Sequence, residues 1–182
     1  FVRECEPDLA VFGSTVVAVW HYGTTRAGSA LSNDGGQTWT VIPDYFFLTP
    51  PSTIEPWGQP SICVTGTGMF FVAQQVADFT RGNSIGIYRR SGAMGIAQWE
   101  YVATALPWLP GTYSDPLDAP HIACDPSTGA LYLAYTYGPF TPQHAKASHT
   151  IEFVRSFDLG ATWSSPQQIS SGVDCNGAQV IV

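Results

Sequence analysis

Asp118-Ala119-Pro120-His121 places a carboxyl and an imidazole three positions apart at the opening of an apolar run, and Cys5-Glu6-Pro7 places a second carboxyl ahead of a proline in a similar setting. A carboxyl and an imidazole so spaced suit general acid and base work, with His121 sharing or relaying the proton of Asp118. Two carboxyls facing each other across a channel are the arrangement that glycoside hydrolysis uses. Glu6, with Glu4 alternating onto the same side, and Asp118 are the pair on offer. A plainer account fits the same residues, with Asp118 capping a turn before Pro120 and His121 a satisfied strand residue, and the sequence leaves both open. Further along the chain stand Arg26, Trp57, Asp78, Arg81, Tyr135 and Tyr137. Rings with nearby charged groups suit sugars, whose C–H faces stack while their hydroxyls take polar partners. Loops that pack on themselves have the same composition.

Other chemistries are disfavoured. The chain of 182 residues has 7 basic and 14 acidic side chains, a net charge of −7, with Lys146 its one lysine, so it lacks the basic footprint of a nucleic-acid partner. No apolar run approaches the ~20 residues of a membrane span. His144 and His149 have no carboxyl or cysteine close by in sequence, so no metal is expected, and with no phosphate loop or dinucleotide fingerprint, no cofactor. Cys5, Cys63, Cys124 and Cys175 form no C-x-x-C pair; disulfides and buried thiols are both open readings.

The elements that must hold these residues are announced by a repeat. Ser32-Asn33-Asp34-Gly35-Gly36-Gln37-Thr38-Trp39 and Ser156-Phe157-Asp158-Leu159-Gly160-Ala161-Thr162-Trp163 share S-x-D-x-G-x-T-W, and a degenerate copy ends at Trp99. The tryptophans are 60 and 64 positions apart. Within that period each copy reads as four short strands: first strands open at Pro7, Pro60 and Pro120, and second strands at Thr15, Met69 and Ala130. Third strands run into the repeat, fourth strands begin at its Trp, and no amphipathic helix competes.

The repeat resembles the Asp-box, or BNR, motif of the sialidase-like β-propellers. The resemblance implies an all-β propeller of four-stranded antiparallel blades, with Ser32, Asp34, Gly36, Trp39, Ser156, Asp158, Gly160 and Trp163 as structural turn residues on the face opposite the substrate. On that basis the chain divides into blades at about 4–43, 58–106 and 118–170 and the opening strand of a further blade at 175–182, part of a six-bladed ring. The ring is then completed by missing blades of the parent chain or by a second copy. The implied function is a secreted protein, extracellular or periplasmic, that recognises carbohydrate and hydrolyses it, or else a binding module without catalysis. Sialidases open the first blade with Arg-Ile-Pro; the openings here are Cys5-Glu6-Pro7, Gly58-Gln59-Pro60, Asp118-Ala119-Pro120 and Cys175-Asn176-Gly177, none with an arginine.

Overall fold

A computed structural model describes residues 4–23, 26–42, 53–91, 99–109, 117–138, 149–170 and 177–182. These form strands and turns with no helix. The first sheet is β1 (Glu4–Phe12), β2 (Thr15–Tyr22), β3 (Arg26–Ser32) and β4 (Thr40–Ile42), in that spatial order. The second holds β5 (Ile54–Pro56), β6 (Ser61–Val64), β7 (Met69–Asp78), β8 (Gly82–Ser91) and β9 (Glu100–Thr104). The third is β10 (Leu117–Cys124), β11 (Leu131–Tyr137), β12 (Thr150–Ser156) and β13 (Gln167–Gln168). All pairings are antiparallel.

Strand alternation sends one face of each sheet to a neighbour. Val17, Val19 and Ile42 of the first sheet pack on Phe70, Val72 and Trp99 of the second, and Phe71, Ile85 and Ile87 of the second pack on Ile122, Leu133 and Val154 of the third. The second sheet therefore lies between two apolar cores. The inner strands β1, β6 and β10 run side by side, the arrangement of blades around a propeller axis. A disulfide joins Cys63 on β6 to Cys124 on β10, closing the choice between bridges and thiols for that pair.

β5 and β6 both pair with β7 and are one inner strand interrupted at 57–60. The register of β1 slips at the corresponding place between Cys5 and Asp8, and that of β10 between Asp118 and His121. Each interruption carries a left-handed residue ahead of a proline: Glu6 (φ 55°), Gln59 (φ 51°) and Ala119 (φ 45°). Proline has no N–H to give the ladder, so a bulge here removes a position that could not pair in any case. Pairing in the second sheet thus reaches back to Ile54, ahead of residue 58, because Pro56 and Gly58 disguise the strand as a turn.

The two repeated turns match bond for bond. Ser32 Oγ accepts from Gly36 N (2.8 Å) and Ser156 Oγ from Gly160 N (2.9 Å). Asp34 accepts from Thr38 N (2.8 Å) and Oγ1 (2.6 Å), and Asp158 from Thr162 N (2.9 Å) and Oγ1 (2.6 Å). The indole N–H groups of Trp39 and Trp163 donate to Gly36 O and Gly160 O, both at 3.0 Å. The threonine hydroxyl, then its amide, then the serine hydroxyl hold both carboxyls down at about 2. Gly160 (φ 84°) is required twice over, since a Cβ there would also stand 3.2 Å from Ile87. Trp39 folds over its own turn and stays 46% exposed, whereas the degenerate copy places Trp99 fully inside the first core.

The fourth strand of the third sheet begins at Gln167, four residues past Trp163. Residues 177–182 pair in no ladder, so the strand expected at 175–182 is not formed there. Among the described residues no strand forms a backbone ladder with it, and without one an extended segment is not a strand.

Candidate functional site

The register puts the repeated turns and the inner-strand interruptions at opposite ends of the sheets. Glu4 pairs with Tyr22 and Tyr22 with Arg26, while Val16 pairs with Ser32 at the far end. Asp34 and Asp158 therefore lie away from the end that gathers Glu6, Gln59, Asp118 and His121. At that end a cavity of about 250 Å³ opens on the axis, lined by Glu6, Asp8, Gln59, Ser61, His121 and Gln179 among others. Three left-handed residues bordering one cavity concentrate backbone strain there, as functional sites do.

The inner strands are tied across this cavity by one bond used three times. Asp8 Oδ2 accepts from Ile62 N (2.9 Å), Ser61 Oγ from Ile122 N (3.1 Å), and His121 Nδ1 from Val180 N (3.1 Å). Asp8, Ser61 and His121 each follow the bulge proline of their copy, so the same place bears three different acceptors. Ser61 Oγ also donates to Asp8 Oδ2 (2.8 Å), linking all three sheets through one hydroxyl. Val180 is thereby seated on β10 as Ile122 is on β6, although 177–182 has no ladder. Gly177 N adds a bond to Thr136 Oγ1 (3.3 Å) and repeats the left-handed conformation (φ 72°).

The candidate acids are differently held. Gln59 Nε2 donates to Asp118 Oδ1 (2.5 Å), while Ala119 N donates both to Gln59 Oε1 and to Asp118 Oδ1, each at 3.0 Å. Asp118 Oδ2 has no hydrogen-bond partner among the described residues. Glu6 has a side chain 55% exposed and meets Nδ1 of the more buried His21 at 3.4 Å. His21 in turn lies against Gly58, where a Cβ would come within 2.8 Å of its ring.

The proposed sugar-binding residues disperse. Asp78 is buried and accepts from Thr53 Oγ1, Thr80 N and Oγ1, Arg81 N, and the Arg81 guanidinium through Nε (2.9 Å) and Nη2 (2.7 Å). The Arg81 contact first, then Thr80, hold its carboxyl far below the usual carboxylate range. Arg81 stacks over Trp108 at 4.3 Å, so this pair braces the turn between β7 and β8. Tyr135 belongs to the second core; burial first, then its hydrogen bond to Glu152 Oε2 (2.6 Å), push its hydroxyl well above the ordinary value. Tyr137 is 36% exposed at the end of β11, and Trp57 is half-buried with its amide donating to Gln75 O. Arg26 opens β3, its side chain outside the described residues, as are His144 and its loop. Among the described residues no cluster of three potential metal ligands occurs. The cavity adds Asp8, Gln59, Ser61, Gln179 and the nearby His21, which sequence reasoning passed over; the alignment of the proline openings was the signal that could have found Gln59 and Ser61.

No protein family matches the sequence, and no curated protein does. Solved structures do match the fold. The GH93 α-L-arabinofuranosidase of Fusarium graminearum, solved with arabinobiose, superposes with a TM-score of 0.63 at 19% identity, over 94% of this chain and 50% of that one. A family 117 glycoside hydrolase produced by Zobellia galactanivorans gives 0.61 at 12% identity, over 94% and 57%. A PL25 ulvan lyase gives 0.60 at 12% identity, over 92% and 40%. At these identities the likeness is one of fold, a β-propeller, and the chain spans about half the length of these structures.

Proposed function

We propose that this chain is part of a carbohydrate-processing propeller whose axial cavity binds a saccharide, with Glu6 in its lining and Asp118, held just behind the lining residues Gln59 and Ala119, as the carboxyls for glycoside hydrolysis. The observation that carries the reading is the convergence of Glu6, Gln59, His121 and Gln179 on one cavity at the strained ends of the inner strands. Neighbours that are an α-L-arabinofuranosidase and an ulvan lyase support it. The described cavity lining holds Glu6 and Asp8 and no cation, which favours an uncharged sugar over sialic acid or a uronate. The matching S-x-D-x-G-x-T-W turns favour placing the chain near the sialidase-like Asp-box proteins in architecture while its chemistry differs. The Cys63–Cys124 bridge favours an extracellular or periplasmic location. Leu9, Val11 and Val41 alternate away from the first core and are 59%, 52% and 67% exposed; we take that face to be covered by further blades, of the parent chain or of a second copy.

The clasp of Gln59 on Asp118 favours a second reading, a recognition module in which Asp118 is a fixed acceptor and no bond is broken. A panel of arabinobiose, sialyllactose and a uronate disaccharide, with chromogenic glycosides alongside, separates the two. Hydrolysis should fall by a factor of about 10² or more in both Glu6→Ala and Asp118→Ala. Turnover that survives both substitutions defeats the catalytic assignment, and binding of arabinobiose without turnover selects the recognition module.

A further inference from the structure

We infer that His121 is a hydrogen-bond donor to the saccharide, held in one tautomer by the backbone of Val180, and that it is not the proton-transfer group of the site. The inference rests on the reading of the axial cavity as a sugar site. Val180 N–H donates to Nδ1 at 3.1 Å, so Nδ1 carries no proton while that bond stands. A neutral imidazole with Nδ1 unprotonated carries its hydrogen on Nε2. The same contact fixes the ring orientation, because a flipped ring would offer Val180 a carbon. Nε2 has no protein partner among the described residues and is not sealed from solvent, and the residue lines the cavity. A base needs a lone pair facing the substrate and an acid needs a proton it can release near neutral pH. His121 presents neither, since its free lone pair is taken by the backbone and loss of the Nε2 proton would leave an imidazolate. What it presents is an N–H of fixed direction, matched to a ring or hydroxyl oxygen. Its counterparts Asp8 and Ser61 have no such donor left: Asp8 is an acceptor, and the Ser61 hydroxyl is already donated to Asp8.

Two substitutions separate this role from simple anchoring of residues 177–182. In His121→Asn the amide oxygen reaches the place of Nδ1 and can still accept from Val180, with nothing at the place of Nε2. In His121→Gln an N–H reaches the place of Nε2 and the Nδ1 acceptor is gone. Isothermal titration with the tightest binder of the panel above, beginning with arabinobiose, should show affinity about five- to tenfold lower for His121→Asn and within about threefold of wild type for His121→Gln. A nitrogen-15 long-range spectrum of the unliganded protein should show His121 as the Nε2–H tautomer. A Nδ1–H tautomer, or an Asn variant that binds as wild type does, overturns the inference while the sugar site stands. Wild type that binds no member of the panel overturns the sugar reading and this inference together.

Discussion

Asp34 and Asp158 look in isolation like candidate acids, yet each accepts from the hydroxyl and amide of the threonine four residues on and from the serine two residues before. A carboxyl lying at about 2 when folded, against an ordinary 3.8, binds protons less readily in the folded state. Its contribution to stability is therefore present above about pH 4 and is lost as the pH falls toward 2. Urea midpoints measured from pH 5 to pH 2 should decline over that window, and the decline should be shallower in Asp34→Asn/Asp158→Asn; an unchanged slope would remove the turns from the account of acid sensitivity. That structural role was legible because every partner lies within a few residues. The positions of Asp78 and Tyr135 were not legible. Whether a polar side chain meets a cavity or a core depends on the phase of a strand relative to its neighbours, which no local pattern states, and both residues turned out to brace the protein from within.

Inner strands broken at a proline recur in all three sheets, and they explain both what the sequence revealed and what it concealed. Pro7, Pro60 and Pro120 read as strand openings in the sequence but lie at the interruptions of inner strands that begin earlier, at Glu4, Ile54 and Leu117, because a bulge and a turn draw on the same residues. Bridging β6 to β10, the disulfide closes 61 positions of chain, so Cys63→Ser/Cys124→Ser should lose about 2 to 4 kcal/mol in denaturant titration. Gly160→Ala should cost at least about 1 kcal/mol by the same measurement, through its left-handed backbone and the crowding against Ile87. Gly35, also left-handed, has open space around it, so Gly35→Ala should lose only the conformational part.

Three sheets leave two outer faces, and they differ. The first presents Leu9, Val11 and Val41; the third presents the stacked rings of Tyr132 and Phe153, 6.1 Å apart, with Val180 seated at its inner edge. The chain alone should therefore self-associate, and Leu9→Ser/Val11→Thr/Val41→Thr should lower its mass in light scattering toward the 19.6 kDa of one copy. A single copy before substitution would show that this face needs no cover. Repeat length made the propeller architecture readable, because the period is a property of the chain. The axial cavity was only half readable, since it exists where successive copies meet and each contributes three residues. The bond that joins those copies asks only for an acceptor after each bulge proline, and a carboxylate, a hydroxyl and an imidazole all satisfy it. Blade docking therefore asks of this cavity-lining position only that its side chain can accept a hydrogen bond. Such a scaffold can acquire a new specificity one blade at a time, exchanging an acid for a neutral donor without disturbing how its blades hold together.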